Sequence, residues 1–181
     1  AGKLEVIALP WVPELKGGDV DACQLPPNPG ATRVVKGGAY RVRTDQPVTV
    51  YQFSPLKYEI KPVPNDCPVG SKCPGGFGSD CLAFSNDATL LLPATTLTGS
   101  YTTVAWPSAP DRAGFVAVTA TRDGTEVQLL GKGEFAAGAG IDGSGNGKVT
   151  LNRGDVLEVI AKHDGPAGQY GADISGTRLK A

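Results

Sequence analysis

The sequence contains no methionine, one histidine and two tryptophans, and only 7% of its residues are aromatic. With His163 as the single imidazole, a hydrolytic triad would have to be built in Lys162-His163-Asp164. No G-x-S-x-G elbow presents a serine to it, and Lys-His-Asp-Gly-Pro reads as a solvated loop. Scattered aromatics also disfavour a sugar-cleaving cleft; carboxylates paired from distant positions are the one glycosidase arrangement the sequence leaves open. No apolar run approaches the ~20 residues of a membrane span. Seventeen Lys and Arg are scattered singly among eighteen Asp and Glu, for a net charge of −1. That balance lacks the basic patch of a nucleic-acid binder. A signal peptide and an initiating Met are both missing, as expected of the mature form, or an excised piece, of an extracellular chain.

Turn formers are abundant instead. The chain has 25 Gly and 15 Pro in 181 residues, about 22% against an average of about 12%. Forty per cent of residues are hydrophobic, so this excess signals many turns between short strands rather than disorder.

The four cysteines, Cys23, Cys67, Cys73 and Cys81, lie in the first half at C-x5-C and C-x7-C spacings, far from His163. Structural zinc prefers closer ligand pairs. Two disulfides in an oxidising compartment are expected to fix the Pro- and Gly-rich loop 64–84, with all three connectivities open.

Strand patterns are clearest between 85 and 130. Ala88–Leu92, Tyr101–Trp106, Phe115–Thr121 and Thr125–Leu130 are rich in β-branched and aromatic residues and are bounded by turns. Arg122-Asp123-Gly124 predicts a tight hairpin between the last two, with the first arm, apolar throughout, central and the second, alternating, nearer a surface. Further strands are expected at Lys3–Leu9, Ala39–Thr44, Val48–Phe53, Tyr58–Val63, Lys148–Leu151, Val156–Lys162 and Asp173–Ala181. These predict an all-β fold, an antiparallel β-sandwich of jelly-roll type, with a propeller-like or barrel arrangement as the alternative. The domain reading is a single β-rich unit over 1–181, or two subdomains of about 1–84 and 85–181 with the second incomplete.

Four short features carry possible chemistry. Asp142, Ser144 and Asn146 imitate the first half of a calcium loop, but Arg153 stands where an EF-hand places its bidentate Glu, and a hairpin loop is the competing reading. Arg153-Gly154-Asp155 spells an adhesion tripeptide, yet its glycine falls where a turn needs one. Trp106 and Tyr101 are the best placed for a glycan platform, with core packing as the ordinary role for these and for Trp11, Tyr51 and Tyr58. Gly38–Thr44 resembles Ser175–Ala181, and the second copy stops before its following strand. Asp173, Ile174, Thr177 and Leu179 are therefore expected on an open sheet edge that a neighbouring chain completes.

Residues Val48–Phe53, Ser85–Pro93, Phe115–Thr121, Gly124–Val127, Val149–Asp155 and Asp173–Arg178 together resemble the N-terminal domain of the IgG Fc-binding protein family, found in mucin-associated animal proteins and secreted bacterial proteins. The resemblance spans about 48–181. It implies a secreted, β-rich, non-enzymatic domain of surface or matrix proteins, without a catalytic set to carry over. The function expected is thus a secreted or cell-surface module for adhesion or extracellular assembly, partnered by another protein or by its own copies. A carbohydrate-binding module is the alternative, and a glycoside or ester hydrolase the third reading. No cofactor is expected beyond the calcium candidate.

Overall fold

The structure, a computed structural model, describes residues 4–10, 12–16, 30–53, 58–59, 82–83, 88–109, 113–163 and 171–181. All its strand pairings are antiparallel, and the only α-helix among the described residues is the single turn Pro13–Lys16.

The described residues form eleven short strands: β1 (Arg33–Val35), β2 (Val50–Phe53), β3 (Tyr58–Glu59), β4 (Leu82–Ala83), β5 (Ala88–Leu91), β6 (Ser100–Thr102), β7 (Phe115–Thr119), β8 (Thr125–Leu130), β9 (Gly147–Leu151), β10 (Val156–Ile160) and β11 (Arg178–Lys180). One sheet has the order β1-β10-β7 and a second the order β6-β11-β8-β9, while β2 pairs with β5 and β3 with β4 as separate ribbons. The first two sheets share one core. Val127 and Leu129 of β8, Leu151 of β9 and Leu179 of β11 meet Leu157 and Val159 of β10, together with Phe135, Ile141 and Ile174. This is the expected all-β sandwich, with open sheets rather than a closed barrel.

The hairpin expected at Arg122-Asp123-Gly124 does not form. Its turn is real, with Gly124 at φ +66°, but β7 pairs with β10 and β8 pairs with β9 and β11. The turn therefore carries the chain from one sheet to the other. The turn Asn152–Asp155 does the same between β9 and β10, directly beside it. Gly124 N–H donates to Asn152 Oδ1 at 3.1 Å, and Arg153 N–H donates to Asp123 Oδ1 at 3.0 Å. A turn residue pair specifies a reversal of direction, not the sheet in which the next strand lands.

Burial is likewise the inverse of the expectation. The apolar strand β7 is an edge, with Phe115 55% exposed, whereas β8 is interior and its Val127 and Leu129 are each 1% exposed. The strand covered on both faces is β10, buried at all five positions despite carrying Glu158. Arg33 Nε donates to Glu158 Oε2 at 2.7 Å, which keeps that carboxylate partnered inside. Beyond the core, Val156 Cγ2 lies 3.4 Å and Leu15 Cδ1 3.0 Å from where a Cβ at Gly38 would stand, so the segment 36–39 closes tightly over β10.

Two expected strands are not formed: 4–9 and 39–44 have no ladder pairing among the described residues. The last strand also departs from expectation. β11 lies between β6 and β8, with Leu179 opposite Tyr101 on one side and Leu129 on the other. Its backbone groups are taken up within the chain, and Ile174, Thr177 and Leu179 are 1%, 1% and 6% exposed. The open edge read into Asp173, Ile174, Thr177 and Leu179 is thus filled by β6, which returns from far upstream, and of the four only Asp173 is exposed. The edges of this sheet are β6 and β9.

Candidate binding groove

The inter-sheet corner positions a groove. Within the corner, beneath rather than in the groove lining, Asp155 is 8% exposed and its carboxylate is taken up by backbone amides. Oδ1 accepts from Gly37 N–H at 3.0 Å and Oδ2 from Asn152 N–H at 2.9 Å. The Asn152 and Gly37 amides hold this carboxyl below its usual range, assisted by Lys36 and opposed by desolvation. Gly154, at φ +88°, lets the backbone turn so that its carbonyl accepts from Ala39 N–H at 3.1 Å. The chain from 39 onward is thereby led across the corner toward β2.

Between that crossing segment, the β2–β5 ribbon and the corner lies a groove of about 460 Å³. Val42, Val48, Val50 and Leu91 give it apolar walls, Arg41 and Arg153 add guanidinium groups, and among the described residues no Asp or Glu lines it. Arg153 is shared with Asp123, 3.6 Å away and outside the groove. The adjoining ribbon is apolar and open. Its register sets Tyr51 opposite Leu90 and Phe53 opposite Ala88, with the Tyr51 and Phe53 rings 6.0 Å apart. Tyr51, Phe53 and Leu92 are 57%, 70% and 65% exposed. A two-stranded ribbon with this much free apolar surface is marginal alone in water, and contiguous apolar surface of this kind marks interaction sites.

The other sequence candidates are dispersed. Trp106 is 87% exposed on the segment leaving β6, and Tyr101 is half-exposed with its hydroxyl accepting from Thr98 N–H at 2.7 Å. Core packing, the ordinary role expected of these rings and of Tyr51, is therefore not theirs. Asp142 and Asn146 serve their own loop: Asp142 Oδ1 accepts from Ser144 N–H and Asn146 N–H, both at 2.9 Å, and Asn146 Oδ1 from Gly131 N–H at 3.2 Å. Among the described residues no cluster of three or more His, Cys, Asp or Glu side chains is arranged for a metal ion. The inward carboxylate of Asp155 removes the Arg153-Gly154-Asp155 motif from display. Asp173 Oδ1 accepts from Ser175 N–H at 2.8 Å, and this N–H together with the Ser175 hydroxyl lowers its pKa. His163 is half-buried at the end of a described segment. Cys23, Cys67, Cys73, Cys81, Trp11 and most of the Tyr58–Val63 strand fall outside the described residues.

Sequence reading missed the groove because Ala39–Thr44 was assigned to a sheet. The available signal was Tyr40-Arg41-Val42-Arg43, apolar and cationic residues alternating between Gly37-Gly38 and the Asp45-Gln46-Pro47 turn.

Among the described residues no helix is long and apolar enough to cross a membrane. Comparison with curated proteins and with solved structures returned no match for either. The family model described as IgGFc binding protein matches residues 87–181, which take in β5 through β11 and leave β1 outside. Covering more than half of the chain and all but one strand of the two core sheets, that match makes this protein a member of the IgGFc binding protein family.

Proposed function

We propose that this chain is a non-enzymatic extracellular module that works by binding protein, in adhesion or in assembly of an extracellular structure. The observation that carries the reading is the acid-free, apolar and cationic groove beside the exposed β2–β5 ribbon. Such a surface suits an extended polypeptide, whose apolar side chains fill the walls while its backbone or carboxylates meet the arginines. Membership of a family described by binding supports it. The test is cross-linking of the natural material followed by mass spectrometry, with light scattering and electron microscopy of the same sample. Cross-links from residues 40–53 or 88–94 to another protein or another copy are expected; material that is monomeric and free of such cross-links overturns the reading.

A second reading, glycan binding, rests on Trp106, whose ring is 87% exposed and offers a stacking face. A glycan array that is positive for wild type and negative for Trp106→Ala would establish it.

A further inference from the structure

Residues Leu4–Leu9 form an apolar segment without regular secondary structure, paired with no strand among the described residues. Leu4, Val6, Ile7 and Leu9 are 88%, 88%, 74% and 62% exposed. Leaving such side chains in water forgoes the stabilisation of burying them, and the stretch has the composition of a strand. In a strand alternate residues share a face, so when the segment pairs as a strand Glu5, Ile7 and Leu9 come together and present one carboxylate with two apolar groups.

The groove is the complement of that face. Arg41, exposed and without an ion-pair partner among the described residues, provides a cation, and Val42, Val50 and Leu91 provide the apolar wall. Glu5 to Leu9 spans about 13 Å when extended. The segment is also held at the rim, because the Tyr40 hydroxyl donates to the Pro10 carbonyl. From there Leu4–Leu9 runs into solvent rather than into the groove of its own copy, where a neighbour can take it.

We infer that the groove receives the Leu4–Leu9 segment of a second copy of this chain, with Glu5 against Arg41 and Ile7 and Leu9 on the Val42, Val50 and Leu91 wall. This rests on the protein-binding reading above and names the partner. The exchange is reciprocal: each copy offers one segment and one groove, so two segments bury their apolar faces in one contact.

Sedimentation velocity of the 181-residue chain over a concentration series tests this, with Glu5→Arg, Arg41→Glu and the double variant. Wild type self-associates. Each single reversal places like charges together and weakens association about tenfold or more, and the double variant restores it. Both positions are exposed, so unchanged melting temperatures are expected and verify folding. A chain monomeric at every concentration, or association indifferent to both single reversals, overturns the inference. A monomer whose binding to another extracellular protein is lost in Arg41→Glu sinks the second-copy partner and leaves the protein-binding reading standing. A monomer with neither property, and without the cross-links sought above, sinks both.

Discussion

Arg33 and Glu158 stand 125 positions apart and meet at 2.7 Å across the β1–β10 ladder, the arginine from outside the family-matched region and the glutamate from inside it. The pair closes the buried strand β10 on the side away from β7. Replacing Arg33 by Met leaves the Glu158 carboxylate, 5% exposed at its side chain, without its cation. The expected loss is about 3 kcal/mol, toward the low end for a broken buried pair because Arg33 is 30% exposed. Urea denaturation gives the number, and the double variant Arg33→Met/Glu158→Leu is expected to recover most of it.

The same relationship predicts that residues 87–181 alone are insufficient. Without β1, one ladder of β10 is unpaired and part of its outer face is bare. That fragment should show broad, non-cooperative melting by circular dichroism, and a synthetic peptide covering residues 30–38 should sharpen the transition.

Acid sensitivity follows from Asp155 and Asp173, whose carboxyls are both lowered by hydrogen bonds from backbone N–H groups and, for Asp173, from a hydroxyl. Their folded values lie below the unfolded value of about 4. The stability they contribute is therefore complete above pH ~4 and lost as pH falls through the folded values. Urea midpoints measured from neutral pH downward should fall below that point for wild type, and Asp155→Asn should flatten the fall.

The loop Asp142–Asn146 gives a prediction about calcium. Asp142 Oδ1 already carries two backbone N–H groups, so a cation would compete with the bonds that shape the turn. The melting temperature is expected to stay unchanged between millimolar calcium and excess chelator. Asp142→Ala should cost about 1–2 kcal/mol through the lost turn.

Gly145 offers a sharper packing test. It sits at φ +77°, and a Cβ there would stand 2.2 Å from Cε2 of Phe135, a ring only 3% exposed. Gly145→Ala must both strain the backbone and displace that ring, and a loss of about 2–3 kcal/mol is expected. Its urea midpoint should fall well below that of Gly143→Ala, where a Cβ has open space apart from one contact at 3.9 Å.

Strand positions were largely legible because β-branched runs and glycine turns are local signals: β2, β5, β7, β8, β10 and β11 lie within expected spans, and β9 starts one residue before its own. Sheet membership was not. Asp123-Gly124 fixes a turn, but whether the chain then pairs with the strand before it or crosses the core depends on Val127 and Leu129 finding Leu151, Leu157 and Leu179. The buried strand was disguised by Glu158, whose charge is satisfied by a residue 125 positions away. The edge assigned to Leu179 failed for the same reason, since β6 arrives from 78 residues upstream to pair with it. Trp106 and Tyr101, expected in the core in their ordinary role, are exposed, while Arg41 became notable only once the corner turned Ala39–Thr44 across a groove.

The position of β1 also sets an order of events during synthesis. At about 5–20 residues per second, Arg33 leaves the ribosome roughly 6–25 s before Glu158, its partner 125 residues later. Until then Val34 and Val35 have no ladder to join, and the sheet they complete waits on a long-range closure of the kind that makes β proteins slow to fold. The nascent chain must be kept from pairing elsewhere throughout that interval, so its yield should depend more on the rate of elongation and on holding chaperones than on the stability of the finished sandwich.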